Sequence, residues 1–493
     1  MIVKLSELLD GFDHEIVHGN TGVEITGVAY DSRKLNQGAL FIAVRGFSVD
    51  GHRFVDQAVE RGATALLVDR EIGDVPAGVC VVRVADTRIA SPVVASRYFG
   101  EPGREMDVVA ITGTNGKTSV AFMLEAVLRR AGARVGVVGT AGNRIGEEPI
   151  ALEKTTPTTP EAVDLQYLLR YMRDEGAVHV VLEASSMALE LHRVDCCSID
   201  VGVFTNFTQD HLDDHGTMEN YKNAKLKLFK GLCRHAVINA DDPVSAEIAA
   251  LMPGAITTFS MGDPAADFYS SDLEVDAEGT RFTLHRSGRQ YQVSLPVPGR
   301  FAAQNALATL AICQSLGHDL DEVVAALADL PPTPGRFESY RTPAGVPVIV
   351  DYAHSPDALD NVLSTIRDFT RGRVITVFGC GGDRDATKRA PMGEIAGRYS
   401  DFCVLTSDNP RSEDPEKILD DIVPGISPTG TSFERISDRR EAIRVALSTA
   451  REGDTVLVAG KGSENYQIIG SRTIHFEDME TVRELAAELV GQR

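Results

Sequence analysis

The chain has no surplus of basic residues, no paired-cysteine spacing and no long apolar run, and each lack removes a class of function. Lys and Arg number 49 against 71 Asp and Glu, a formal charge of −22, and no basic stripe stands out that could neutralise a nucleic-acid backbone. A general nucleic-acid binder is therefore not expected, and an acidic small molecule would need local basic pockets. The seven cysteines follow no CxxC spacing, and even the adjacent Cys196 and Cys197 fit reduced, mostly buried thiols better than a disulfide framework. That points to the cytoplasm. The opening MIVKLSELLDGF reads as a short amphipathic helix interrupted by Glu7 and Asp10, unlike a signal peptide or a membrane span, so no membrane partner is expected. What is present is ample: 493 residues with 43% hydrophobic content are enough for several cores, and the length suggests about three domains.

The most informative stretch is DVVAITGTNGKTS, Asp107 to Ser119. Val108 to Ile111 read as a buried strand that breaks into a glycine-rich turn, and an amphipathic helical pattern starts near Thr118. Such a turn cradles phosphate. Gly113 and Gly116 let backbone N–H groups converge on anionic oxygens, the helix N-terminus adds its dipole, Lys117 supplies charge and Thr118 can ligate magnesium. A nucleoside triphosphate is the expected ligand. Phosphate loops usually carry a glycine five residues before Gly116, but Ile111 stands there, so this loop is a shortened one.

Along the chain, residues 1–104 alternate short strands (Ala39 to Val44, Ala65 to Val68, Val79 to Val84) with one clear helix, Phe54 to Arg61, as a small α/β unit. DSR (Asp31 to Arg33) and RGFSVDGH (Arg45 to His52) read as surface loops flanking a strand. In residues 105–334, the apolar run Val178 to Leu182 ends in Glu183, either a magnesium ligand beside the phosphate loop or a solvated strand-end carboxylate. The strand Ile199 to Phe204 runs into TNFTQDHLDDHG, where Asp210, His211, Asp213, Asp214 and His215 leave a magnesium site or a polar loop open. Tyr221 to Phe229 is a helical pattern whose Lys222, Lys225 and Lys227 read as a solvated face. Strand, turn and helix follow across Val293 to Ala308, putting Asn305 close to a possible nucleotide base, and LPPTPGR (Leu330 to Arg336) is the linker candidate. Residues 335–493 restart as a doubly wound parallel sheet. Its strands end in DYAHSPD, GCGGDRD, SDNPRSEDP and GKGSE, at the edge where such sheets bind ligands. GCGGDRD is no dinucleotide fingerprint, because Arg384 stands at its third glycine position.

These motifs, with TTPEAVDLQ, EASS, HRV, NFTQDHLDDHG, YKNAK and GRFE in order between them, resemble the Mur ligases of peptidoglycan synthesis over essentially the full length. The resemblance implies an α/β chain of three domains. Residues 1–104 would be a small UDP-sugar-binding domain, 105–334 a central P-loop-type ATPase domain with a mainly parallel sheet, and 335–493 a C-terminal, Rossmann-like amino-acid-binding domain. It implies ATP held by Gly113, Thr114, Asn115, Gly116, Lys117, Thr118, Ser119, Asn305 and Arg336. One magnesium would sit on Thr118 and Glu183, with His211 on or near a second. Lys225 matches the lysine this family carbamylates, which would make it a ligand of that second magnesium. Lys117, Glu183, His211 and carbamylated Lys225 then form the catalytic set.

Ser32, Thr158, Thr159, Ser185 and Arg193 would hold a UDP-muramoyl dipeptide. Arg384, Asp408, Asn409, Pro410, Arg411, Gly460 and Glu464 would hold meso-diaminopimelate. The implied reaction is ATP-dependent amide formation by a monomer acting on small molecules. Arg411 carries the choice of amino acid, because a guanidinium suits the far carboxylate of diaminopimelate and repels the terminal ammonium of L-lysine, which is the alternative substrate. Three positions depart from the family pattern: Met187 where His is frequent, Leu191 where a polar residue is frequent, and Ser463 in place of the His of GKGHE. Two rivals are a folylpolyglutamate synthase-like ligase, which gives no reason for the DSR domain, and a catalytically silent nucleotide-binding regulator.

Overall fold

Short β-branched runs build three large sheets among the described residues, beside two two-stranded ones, and the alternation of their side chains sets where the cores lie. The structure, a computed structural model, describes residues 1–46, 49–153 and 155–490. In the strand Asp107–Thr112, Val109 and Ile111 enter one hydrophobic core while Val108 and Ala110 enter the core on the opposite face. A strand buried on both sides needs apolar residues at every position, which is why this one reads as an unbroken run.

The sheet around that strand has eleven members. Its parallel centre runs Val135–Gly139, His179–Glu183, Asp107–Thr112, Ile199–Phe204, Cys233–Asn239, Ile256–Ser260 and Phe268–Asp276 in spatial order. Gly142–Ile145 and Glu148–Pro149 extend one edge antiparallel, and Gly279–Arg286 and Arg289–Leu295 extend the other. Helices Lys117–Arg130 and Arg300–Ser315 share one face, and Ala162–Asp174 lies on the other. Of the edge strands beyond Ile256, the sequence reading reaches only the end of Arg289–Leu295, in the strand it starts at Val293; the others carry charges such as Asp272, Glu274 and Arg281 on exposed faces and lack a continuous apolar signature.

Two further sheets flank it. The first has five strands, Glu15–His18, Cys80–Arg83, Ala65–Val68, Ala39–Ile42 and Gly27–Ala29, parallel except for the outermost Glu15–His18. The other has six, with Glu338–Arg341 antiparallel to Pro347–Asp351, then Thr455–Ala459, Val374–Phe378, Phe402–Leu405 and Ser432–Arg435 all parallel. Because those strands run the same way, DYAHSPD, GKGSE, GCGGDRD and SDNPRSEDP emerge side by side along one edge, as expected. The LPPTPGR segment spans the gap between helix Leu320–Leu327 and strand Glu338–Arg341.

Two expectations need correction. The N-terminal stretch is a two-residue strand, Val3–Lys4, followed by a helix of only four residues, Leu5–Leu8, since Val3 and Lys4 pair with Glu24 and Ile25. The first unit also holds a second, longer helix, Thr87–Tyr98. Pro92, Ser91 and Ser96 within it dilute the amphipathic pattern and hide it. In the run Arg45 to His52, residues 47 and 48 lie outside the described residues, Arg45 bridges Asp50, and Gly51–Phe54 forms a 3₁₀ turn. Six of the seven cysteines are buried and Cys196 is exposed. Among the described residues no helix is long and apolar enough to cross a membrane.

Candidate active site

The phosphate loop forms because its backbone takes conformations that a side chain resists. Gly113 has φ 151° and Gly116 φ 87°, and a Cβ on Gly113 would lie 1.9 Å from the Thr205 hydroxyl oxygen. The loop is then pinned from outside. Asn206 Oδ1 accepts from the Asn115 amide at 2.8 Å, the Thr205 hydroxyl donates to the Asn115 carbonyl at 2.6 Å, and the Asn206 carbonyl accepts from the Thr114 amide at 2.9 Å.

Parallel pairing of His179–Glu183 with Asp107–Thr112 puts Glu183 opposite Ile111, at the mouth of the loop. The Thr118 hydroxyl donates to Glu183 Oε2 at 2.9 Å, and the Thr140 amide donates to Oε1 at 3.0 Å. Glu183 is only 1% exposed, and a buried carboxylate whose close partners are an amide and hydroxyls suits a divalent cation. The strand-end alternative, a solvated carboxylate, does not describe it.

Two lysines converge on the same turn. Nζ of Lys117 donates to the carbonyls of Gly113 (2.8 Å) and Thr114 (2.9 Å), and Nζ of Lys225 also donates to the Gly113 carbonyl at 2.8 Å. Lys225 is 2% exposed, so the solvated face expected from its helical pattern is wrong at this position, whereas Lys222 and Lys227 pair with surface carboxylates. Burial, and then the charge of Lys117, hold the Lys225 amine well below the usual lysine range. Burial lowers Lys117 in the same direction. His211 does not touch Lys225. Its ring lies 5.9 Å from that of Tyr221, over which Lys225 Nζ stands at 4.3 Å. His211, Asp213 and Asp214 form the one cluster among the described residues with metal-ligand spacing.

Behind His211, Asp210 gathers basic side chains from two sheets. Its carboxylate lies 3.6 Å from His211 Nε2, 3.7 Å from His354 Nε2 and 3.7 Å from Lys388 Nζ. Burial alone would raise the Asp210 carboxyl, but His354, His211 and Lys388 outweigh it and hold it well below the carboxylate range. Burial, then Lys388, lowers His354 to about 4. Other ties across this seam are Asn115 Nδ2 to Asp357 (2.7 Å), Gln209 to Thr387 (3.3 Å) and Arg384 to Asp213 (3.9 Å). Asp357, His354, Lys388 and Thr140 escaped the sequence reading. Asp357 and His354 sit inside DYAHSPD, which was the available signal.

Arg336 Nη2 donates to the Thr118 hydroxyl at 3.2 Å. Asn305 lies against the phosphate loop, where its Oδ1 would be 2.7 Å from a Cβ on Gly116. Ser119 is half-buried on the first turn of helix Lys117–Arg130.

A second group surrounds Thr159. Its hydroxyl donates to the Glu183 carbonyl at 2.7 Å and lies 3.2 Å from Ser185 Oγ, and Arg193 reaches its carbonyl at 3.3 Å. Thr158 is 3.1 Å from the Thr140 hydroxyl. Glu161 bridges Arg193 and Arg88, both at 2.8 Å, which joins this group to the first sheet's unit. Ser32 stands apart, donating to Gln57 at 2.6 Å, while its neighbour Tyr30 donates to Asp164 at 2.6 Å. A cavity of about 380 Å³ lies nearby between Arg45, Gly46, Asp86, Arg88 and Leu191, so Leu191 gives it an apolar wall. Met187 is half-buried on helix Ser186–Glu190.

The third group lies on the six-stranded sheet. Asn409 Nδ2 donates to Glu464 Oε2 (2.9 Å) and Asp408 Oδ1 (3.1 Å), and Lys461 reaches Glu464 Oε2 at 3.1 Å. Gly460 has φ 119°, and a Cβ there would lie 2.5 Å from Asp408 Oδ2. Pro410 is buried, and Arg411, at φ 51°, is pinned by the Ile468 carbonyl and sends Nη1 to the Gly382 carbonyl at 2.7 Å. Arg384 is more exposed, touching the Asp383 carbonyl. A cleft of about 970 Å³ contains Thr158, Tyr352, Ser463, Glu464 and Tyr466, so the second and third groups face one space.

Three family models match in order: "Mur ligase family, catalytic domain" over residues 24–96, "Mur ligase middle domain" over 111–313 and "Mur ligase, glutamate ligase domain" over 335–462. A UDP-N-acetylmuramoyl-L-alanyl-D-glutamate--2,6-diaminopimelate ligase of Caldanaerobacter subterraneus subsp. tengcongensis is 45% identical over 486 residues, 99% of each chain. The chain belongs to the Mur ligase family. The same enzyme of Geobacillus thermodenitrificans is 42% identical, covering 99% of this Mur ligase and 100% of its relative. A solved structure of such a diaminopimelate ligase superposes with TM-score 0.69 at 34% identity, covering 99% and 100% of the two chains. Folylpolyglutamate synthase of Mycobacterium tuberculosis shares the fold at 20% identity and TM-score 0.61, covering 83% of this chain and 95% of its own. Members of the family are ATP-dependent, ADP-forming ligases that use Mg²⁺.

Proposed function

We propose that this Mur ligase joins meso-2,6-diaminopimelate to the D-glutamyl γ-carboxylate of UDP-N-acetylmuramoyl-L-Ala-D-Glu, with ATP cleaved to ADP and phosphate, in peptidoglycan synthesis. The observation that carries the reading is the common cleft, with Thr158 beside the Glu183 site on one wall and Glu464 on the other. The names of relatives more than 40% identical over the whole chain support the same substrates.

The glutamyl carboxylate attacks the γ-phosphate to give an acyl phosphate, and the diaminopimelate amine displaces phosphate through a tetrahedral intermediate. Lys117, Asn115 and Thr114 hold the triphosphate, and Arg336 and Asn305 close over the loop. Thr159, Ser185 and Arg193 orient the dipeptide, with Ser32 on the nucleotide-sugar side. Positioning and charge neutralisation supply most of the rate. Magnesium on Thr118 and Glu183, and a second ion at His211 and Lys225, would offset the charge that builds where a carboxylate meets a triphosphate. The depressed amine of Lys225 supports its carbamylation, since only a neutral amine adds to CO₂ and the product is an anionic oxygen ligand.

Asp408, Asn409 and Glu464 receive the ammonium end of diaminopimelate, and Arg384, Arg411 and the Gly460 backbone receive its carboxylate. Arg411 keeps donors for that carboxylate beyond the one bonded to Gly382. We assign the domains to residues 1–104, 105–334 and 335–493, and place the enzyme in the cytoplasm as a monomer that binds no nucleic acid. The deciding assay offers purified protein ATP, Mg²⁺, the UDP-muramoyl dipeptide and one amino acid at a time, and reads ADP release. Turnover with meso-diaminopimelate at least tenfold above L-lysine is expected. Equal use of L-lysine would overturn the assignment and direct attention to Ser463.

A further inference from the structure

Tyr352 has no task in the chemistry above, yet it contacts both Arg336, which reaches the phosphate-loop helix, and Glu464. On one side the Arg336 guanidinium carbon lies 4.4 Å from the centre of its ring, and Arg336 Nη2 is bonded to the Thr118 hydroxyl at 3.2 Å. On the other side the Tyr352 hydroxyl donates to Glu464 Oε1 at 3.5 Å, while Glu464 Oε2 is held by Asn409 and Lys461. A continuous run of contacts therefore leads from the phosphate loop to Glu464. The backbone makes the same connection: a Cβ on Gly335 would lie 2.0 Å from the Ser463 amide nitrogen, and one on Gly462 would lie 2.8 Å from Tyr352 Cβ. Nothing larger than glycine fits between the linker and the Gly460–Glu464 loop.

We propose that Tyr352 is a positioning residue that carries occupation of the nucleotide loop into the amino-acid pocket; this rests on the ligase reading above. Phosphate oxygens arriving beside Thr118 compete for the Arg336 N–H groups. The guanidinium follows them, and the ring stacked on it moves as well. Its hydroxyl sits at the long limit of a hydrogen bond, so a small shift tightens or releases Glu464, the carboxylate facing the substrate ammonium. Binding at one site then changes affinity at the other, and the linkage is reciprocal.

The test is calorimetric titration of the full chain, loaded with the UDP-muramoyl dipeptide and Mg²⁺, with meso-diaminopimelate in the presence and absence of a non-hydrolysable ATP analogue. In the wild type the analogue is expected to tighten diaminopimelate binding about fivefold or more. Tyr352→Phe keeps the stacked ring and removes the hydroxyl. It should cut that factor below about twofold while leaving the analogue's own affinity without diaminopimelate nearly unchanged. A wild-type affinity indifferent to nucleotide, or a Tyr352→Phe protein that keeps the full factor, overturns the proposal and leaves the substrate reading intact. Failure of meso-diaminopimelate to bind under any condition, with another amino acid supporting ADP release, overturns the substrate reading and this proposal with it.

Discussion

Lys225 offers a prediction in which activity and stability move in opposite directions. Its amine is buried, shares the Gly113 carbonyl with Lys117, and has no carboxylate among its hydrogen-bond partners. An unperturbed lysine is neutral in roughly one molecule per thousand at pH 7.4. Burial and the neighbouring charge raise that fraction here, so the side chain is poised to react with CO₂ at the expense of folding. The folded state binds fewer protons than the unfolded state between the lowered and the ordinary lysine value, so this cost shrinks as pH rises through that interval. Lys225→Met removes the buried amine with little change in shape. It should stabilise the CO₂-free protein by about 1–3 kcal/mol, the range for relieving a poorly satisfied buried polar group. In scanning calorimetry that is an upward shift of a few degrees in the transition of the central unit. Turnover should fall by about three decades or more, as for loss of a group that neutralises transition-state charge, and small carboxylates should restore part of it. Wild-type activity should also decline in CO₂-depleted buffer and recover with bicarbonate. Near wild-type turnover in Lys225→Met without added carboxylate would refute the reasoning, and a lowered melting temperature would show that the amine is better satisfied than its contacts indicate.

Other sites make equally direct predictions. Lys117→Ala should lower kcat by several decades with a smaller change in the KM for ATP, because its charge is most useful as the phosphoryl group transfers; a change in KM alone would make it a uniform binding contact. Arg411→Ala should erase most of the preference for meso-diaminopimelate over L-lysine, a loss of roughly 1.5–3 kcal/mol read as the ratio of kcat/KM values. Asp478→Asn should destabilise the C-terminal unit by about 3–5 kcal/mol, since Asp478 and Arg439 form a bidentate pair with both side chains fully buried and the change strands the guanidinium. His354 is lowered to about 4 by burial and Lys388, so the stability it contributes is complete above its ordinary value of 6.5 and is lost as pH falls toward 4. His354→Gln should flatten that decline by on the order of 1 kcal/mol, allowing for a side chain 35% exposed, as measured by denaturation between pH 7 and pH 4.

The parts of the site legible in the sequence are those whose chemistry is contiguous. A phosphate loop must place glycines, a lysine and a hydroxyl on consecutive residues after a strand, so Gly113 to Thr118 declare themselves. The meeting of Thr118 with Glu183 was also readable, because neighbouring parallel strands end at the same edge and Glu183 closes an apolar run. Lys225 misled for a local reason: three lysines at helical spacing look like a wet face, and only the packing of Tyr221 and the Gly113 turn shows that one of them points inward. Helix Thr87–Tyr98 stayed hidden because its buried positions include Ser91, Pro92 and Ser96, which carry no apolar signal. The union of Asp210 with His354 and Lys388 lies beyond any local reading, since its partners come from separate motifs on another sheet.

That union also ties together the loops of two mainly parallel sheets. An acyl phosphate is reactive toward water, so the site that makes it and the site that presents the amine must meet without leaving a channel. Each sheet brings its ligand-binding loops to the carboxyl edge of its strands, and one cleft is lined by Thr140 and Thr158, which adjoin Glu183, and by Glu464 of the six-stranded sheet's unit. The loop after Phe378 then does two things at once. Its Arg384 reaches Asp213 beside His211, and its following turn delivers Lys388 to Asp210. Under the proposed assignment, a diaminopimelate carboxylate bound by Arg384 would compete with Asp213 for one guanidinium, which would link the amino-acid site to the loop that carries His211.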